Sequence, residues 1–184
     1  MRKVTRSDVL DYKTYNDRRQ ALRERILVEK SKRRIHLGEH LTFLFESTDT
    51  ILYQVQEMMR LEQTVRESEI QHEIDTYNQL LGDSGELGCT LLIEIDNQAE
   101  RDVKLKAWLD LPKHLYIALA DGTRARATWD PAQIGDTRLS SVQYLKFRVG
   151  QGQQPVEIGC DHPALNLRAS LTEAQRETLS LDSR

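Results

Sequence analysis

Leu87-Gly88-Cys89-Thr90-Leu91-Leu92-Ile93-Glu94-Ile95 is the stretch on which the fold turns. It is short and nearly continuous in apolar residues, which suits a strand covered on both faces. Before it, apolar residues recur mostly at helical spacing. After it, they mostly alternate. Helices concentrated in one half and strands in the other mark an α+β fold. The expected arrangement is N-terminal helices and a β-hairpin packed on a mostly antiparallel sheet from the C-terminal half, in a single domain spanning 1–184.

Upstream, Ser68 opens a helix in which Ile70, Ile74, Tyr77 and Leu81 step by four, three and four. Gly82-Asp83-Ser84-Gly85 stops it. Ser47-Thr48-Asp49-Thr50 offers N-caps for a helix to about Gln63, with Ile51, Leu52, Val55, Met58 and Met59 on its apolar face. Ile35 and Leu37, then Leu41, Phe43 and Phe45, alternate as strands 33–37 and 41–46 around the turn Gly38-Glu39-His40. Residues 14–31 form a charged helix whose apolar stripe is only Leu22 and Ile26, so it belongs on the surface.

Downstream, Asp96 and Asn97 cap a helix over 98–109, and Pro112 blocks its continuation. Strands are expected over 114–119, 123–129, 140–149, 155–160 and 165–170, with Asp121-Gly122 as a hairpin turn. Thr172 and Gln175 have capping-box spacing at the start of a last helix.

The 184 residues fit one domain. Aromatics make up 6%, so the core relies on Leu, Ile and Val. A net charge of −3 argues against a nucleic-acid binder that works through bulk charge. Residues 18–34 nevertheless carry eight cations against Glu24 and Glu29, a basic surface suited to phosphates or an acidic partner protein. That stretch has no aromatic to stack on a base, so nucleic acid is not expected. Cys89 and Cys160 are far apart and form no CxxC pair, so neither a zinc site nor a thioredoxin-like motif is indicated. No signal peptide and no membrane-spanning apolar run is present, which points to the cytoplasm and reduced thiols. Walker A, GxGxxG and GxSxG patterns are absent, so nucleotide-dependent and hydrolase readings have no positive support.

Three segments carry a family resemblance. They are Leu41-Thr42-Phe43-Leu44-Phe45-Glu46-Ser47-Thr48-Asp49-Thr50 with Tyr53-Gln54-Val55-Gln56-Glu57-Met58, Ile70-Gln71-His72-Glu73-Ile74-Asp75-Thr76-Tyr77-Asn78, and Ser141-Val142-Gln143-Tyr144-Leu145 with Asp161-His162-Pro163. Together they resemble an uncharacterised bacterial family, domain of unknown function 3501, over nearly the whole chain. The resemblance implies a redox or oxidative-stress setting, with rubrerythrin-like and iron–sulfur oxidoreductase proteins as partners. It assigns no activity to any residue.

The residues themselves suggest three polar sets. Glu69, His72 and Glu73, with Glu57 and Glu46, form a metal-ligand candidate. Glu-x-x-His is the spacing of di-iron helices, and carboxylate with imidazole suits iron, manganese or zinc. Only one such pair exists, so a mononuclear site requires Glu46 or Glu57 across from His72. The plainer reading is a solvated helix face opposite Ile70 and Ile74. A second set, Glu46, Tyr53, Gln54, Glu57 and Arg60, reads as a polar pocket or as ordinary surface pairing. The third is Cys160, Asp161 and His162. Residues two apart on a strand share a face, which allows a thiolate activated by imidazole, against a buried cysteine beside a loop histidine. The expected function is an accessory or binding protein with redox partners, its contacts on helix 14–31 and the polar faces of 50–63 and 67–81. The alternative is a metal-binding protein or metal-dependent enzyme built around His72.

Overall fold

The computed structural model describes residues 1–184. Five α-helices and eight strands follow in the order α1 (Tyr12–Ser31), β1 (Arg34–Leu37), β2 (Leu41–Phe45), α2 (Thr48–Glu62), α3 (Glu67–Asn78), β3 (Glu86–Ile93), α4 (Gln98–Ala107), β4 (Leu115–Leu119), β5 (Arg124–Thr128), β6 (Val142–Arg148), β7 (Pro155–His162), β8 (Leu165–Ser170) and α5 (Glu173–Asp182). No helix is long and apolar enough to cross a membrane.

All eight strands join one antiparallel sheet in the order β1-β2-β3-β6-β5-β4-β7-β8. The sheet curls until its edge strands β1 and β8 lie beside each other, so it is a nearly closed barrel. Alternation fills the inside. Leu41, Phe43 and Phe45 of β2 meet Leu87, Cys89, Leu91 and Ile93 of β3, and Leu145, Phe147, Ile117 and Ile158 complete the apolar interior. Leu105 of α4, Trp108 just past its end and Leu111 join this core after β3, and Leu179 of α5 joins it where Ser183 O accepts from Gly85 N.

The α+β class stands, and the arrangement within it needs correcting. The early hairpin does not sit on a sheet made by the later half. β1, β2 and β3 are themselves barrel strands, because β2 pairs with β3 from Leu41↔Ile93 to Phe45↔Cys89 and β3 pairs with β6. An unpaired β2 would leave a row of open N–H and C=O groups, and incorporation into the sheet removes it.

Helices α1, α2 and α3 form a layer with its own small apolar cluster, Val4, Val9, Ile51, Val55, Met59, Ile70, Ile74 and Leu81. Residues 4–10 strap across it. The Asn78 side chain bonds both the N–H and the C=O of Val4 at 2.9 Å. Gln56 does the same for Leu10, at 2.8 and 3.0 Å. α3 ends at Asn78 rather than Leu81, and the turn that follows lies against β3 at Gly88. A Cβ at Gly88 would stand 1.9 Å from the Leu80 carbonyl oxygen, so only glycine permits this approach.

Candidate functional site

α1 is capped by the Asp11 side chain, which accepts from the Lys13 and Thr14 amides. Only Tyr15 and Ile26 of its twenty residues are buried. One turn apart, Tyr15 and Arg19 both reach Glu57 on α2. Tyr15 Oη donates to Oε1 at 2.6 Å, while Arg19 donates through Nε at 2.7 Å and Nη2 at 2.9 Å. Burial pushes the Glu57 carboxyl up, but the Arg19 and Tyr15 hydrogen bonds outweigh it and hold the group at about 2. Burial, then the hydrogen bond to Glu57, pushes the Tyr15 phenol up.

Arg60, one turn after Glu57, reaches the same carboxylate only at 3.4 Å, and its buried Nε has no acceptor. Beside it lies a cleft of about 450 Å³ lined by Tyr12, Lys13, Asn16, Asp17, Arg60 and Gln63. On another side of the α1–α2 pair is a groove of about 570 Å³, walled by Leu22, Ile26, Val28, Leu52 and Tyr53 and rimmed by Arg25, Lys32 and Asp49.

The expected metal ligands are dispersed. Glu69, His72 and Glu73 share a surface pocket of about 220 Å³ with Glu62, Thr64 and Ser68 on the outer side of α3. Glu69 is paired there with Arg66 at 3.3 Å. Glu57 is occupied on α1. Glu46 is buried at the end of β2, accepting from Thr50 Oγ1 and Thr90 Oγ1 at 2.6 Å each. No three His, Cys, Asp or Glu side chains are placed to hold one metal ion together.

Cys160 and His162 do share the inner face of β7, since the strand runs on through His162. No hydrogen bond joins their two side chains, although the His162 backbone N–H points to the Cys160 sulfur. Cys160 is part of the barrel core, where burial pushes its thiol up, away from a reactive thiolate. His162 Nδ1 accepts from the Ala164 amide at 3.1 Å, so in the neutral ring Nε2 carries the proton and donates to Asp110 at 3.2 Å.

A polar cluster missed from sequence surrounds that histidine. His114 stands edge-on to His162, 5.1 Å between ring centres, and bonds Asp161 through Nδ1 at 3.2 Å. Arg126 grips Asp161 with two bonds of 2.9 and 2.6 Å. That grip holds the Asp161 carboxyl at about 2. Arg124 and Arg126 both lie over the Tyr116 ring, which rests on Gly159, where a Cβ would come within 2.3 Å of Cζ. Asp161 and His162 stand out in the sequence beside Cys160, while nothing local ties Asp110, His114 or Arg126 to them. The β4–β7 register Leu115↔Cys160 brings His114 to Asp161. Its carboxylates are met by arginine or histidine partners, so the cluster braces the barrel strands at this end.

A family model described as protein of unknown function (DUF3501) matches residues 3–183. The fold is similar to the crystal structure, at 1.90 Å resolution, of a novel protein of unknown function from Burkholderia pseudomallei K96243. The two are 29% identical with a TM-score of 0.91, each chain covered over 100% of its length. No curated protein matches the chain.

Proposed function

The chain belongs to the DUF3501 family of proteins of unknown function, and from that premise we propose that it is an accessory protein that docks an acidic partner on α1. One observation carries this reading. α1 is a helix about 30 Å long that buries only Tyr15 and Ile26. It leaves Arg18, Arg23 and Arg25 exposed, with Lys32 and Arg34 just beyond its end, and none of these five has an ion-pair partner. Leu27 and Val28 are exposed among them, 49% and 59% accessible. Cations around apolar residues suit a partner of opposite charge with an apolar centre. The barrel, by contrast, is filled by its own side chains. Rubrerythrin-like and iron–sulfur oxidoreductase proteins are the partner classes that the family resemblance implies, and the cytoplasm is the compartment proposed.

Calorimetric titration with a purified rubrerythrin-like or iron–sulfur partner tests this. Binding should weaken as salt rises. Reversing Arg18, Arg23 and Arg25 to Glu should weaken it by roughly tenfold or more. Absence of binding to either class, or a reversed variant that binds as the parent does, would remove the reading.

One observation favours a second reading, metal binding on α3: Glu69, His72 and Glu73 share one pocket with Glu62. Its ligands would have to swing together on binding. Elemental analysis of untagged protein should then find about one equivalent of iron, manganese or zinc. Metal that persists in His72→Ala, or is absent altogether, would end this reading.

A further inference from the structure

We propose that the cleft where the first turns of α1 meet the end of α2 binds the carboxylate of a small, singly charged acid, held by Arg60 and Lys13. An imbalance of charge points there. The Glu57 carboxylate is already met on both oxygens by Arg19 and on one by Tyr15. Arg60 therefore adds a second guanidinium to a carboxylate that one has neutralised. A guanidinium has five N–H donors, and Arg60 uses one, in a contact of 3.4 Å. Its Nε is buried without an acceptor, and a quarter of its side chain remains accessible. An under-partnered cation with most of its side chain desolvated is unfavourable until an anion reaches it.

The cleft around Arg60 is polar and of about 450 Å³. Lys13 and Asp17 stand in it, and neither has an ion-pair partner. Lys13 and Arg60 against Asp17 leave one net positive charge, which a monocarboxylate balances. A phosphate dianion would exceed that charge and face Asp17. The planar fork of Arg60 matches a carboxylate in bidentate geometry. The volume exceeds a carboxylate alone, so the remainder of the acid would contact the Tyr12 ring, Asn16 and Asp17. Nothing in this site requires a partner protein, and it stands whether or not α1 docks one.

The test uses the whole chain and acetate as the probe, at fixed ionic strength with chloride exchanged. Nuclear magnetic resonance follows the Asn16 and Gln63 amides and, in the parent, Arg60 Nε–H. The expected result is a saturating shift at millimolar acetate and weaker binding of inorganic phosphate. Arg60→Gln should weaken acetate roughly tenfold or more. Lys13→Gln should weaken it about threefold. Lys13 is exposed and makes no side-chain contact that supports the fold, so this variant reports on binding even if Arg60→Gln misfolds. A response that stays linear, an acetate affinity unchanged in Lys13→Gln, or tighter binding of phosphate would overturn the proposal.

Discussion

The barrel and the helical layer are held together in opposite ways. Inside the barrel, Phe43, Phe147, Leu91 and Ile158 are fully buried, and neighbouring strands are joined by backbone ladders. In the layer of α1, α2 and α3, the apolar cluster is small and polar side chains make the decisive joins: Glu57 with Arg19 and Tyr15, Gln56 with Leu10, Asn78 with Val4. Apolar burial is non-directional and gives stability without leaving groups for a ligand. Polar braces have geometry and charge, and where one is incomplete, as at Arg60, an open valence remains. The contrast puts both proposed binding surfaces on the helical layer and the larger apolar core in the barrel.

The largest expected effect tests the second half of that statement. Phe43→Ala should cost about 3–5 kcal/mol, because a closed core cannot collapse around the space left. Denaturant unfolding should show the loss in every probe. Asn78→Ala should cost about 1–3 kcal/mol, the penalty for leaving the Val4 N–H and C=O without partners. Hydrogen exchange should locate that loss in the strap of residues 4–10, with the β3 and β6 amides as protected as before. If Asn78→Ala exposed the barrel amides equally, the two regions would be one cooperative unit and the contrast would fail.

Much of this was legible one element at a time. Alternation in Leu41, Phe43 and Phe45 gave β2 and its core-facing residues, although Thr42 and Leu44 on the other face are buried too. Thr172 and Gln175 do form the capping box that opens α5. The thin stripe of α1 correctly placed that helix on the surface. Barrel closure was not legible, because a period of two tells which face of a strand is buried and not which strand lies beside it. The candidate sites were hidden for the same reason. Arg19 and Glu57 are 38 residues apart, and His114 and Asp161 are 47 apart. Glu57 was singled out for its charge and its spacing to Arg60. The partner that occupies it, Arg19, comes from the crossing of two helices. No local pattern encodes that crossing.

The smallest effect is the most specific, and it lies in acid. The Glu57 carboxyl is held at about 2 in the folded protein, below its ordinary value of 4.5. A depressed carboxyl binds its proton less readily folded than unfolded, so it adds stability above pH 4.5 and loses it as pH falls through about 2. Glu57→Gln keeps the shape and removes the titration. The variant should be less stable at neutral pH, and its stability curve should converge on that of the parent as pH approaches 2. Asp161 in the barrel titrates over the same range but is common to both proteins, so it cancels from the difference. Curves that stay parallel from pH 6 to 2 would mean that Glu57 contributes shape alone. Arg60 would then owe its open valence to something other than a carboxylate already shared.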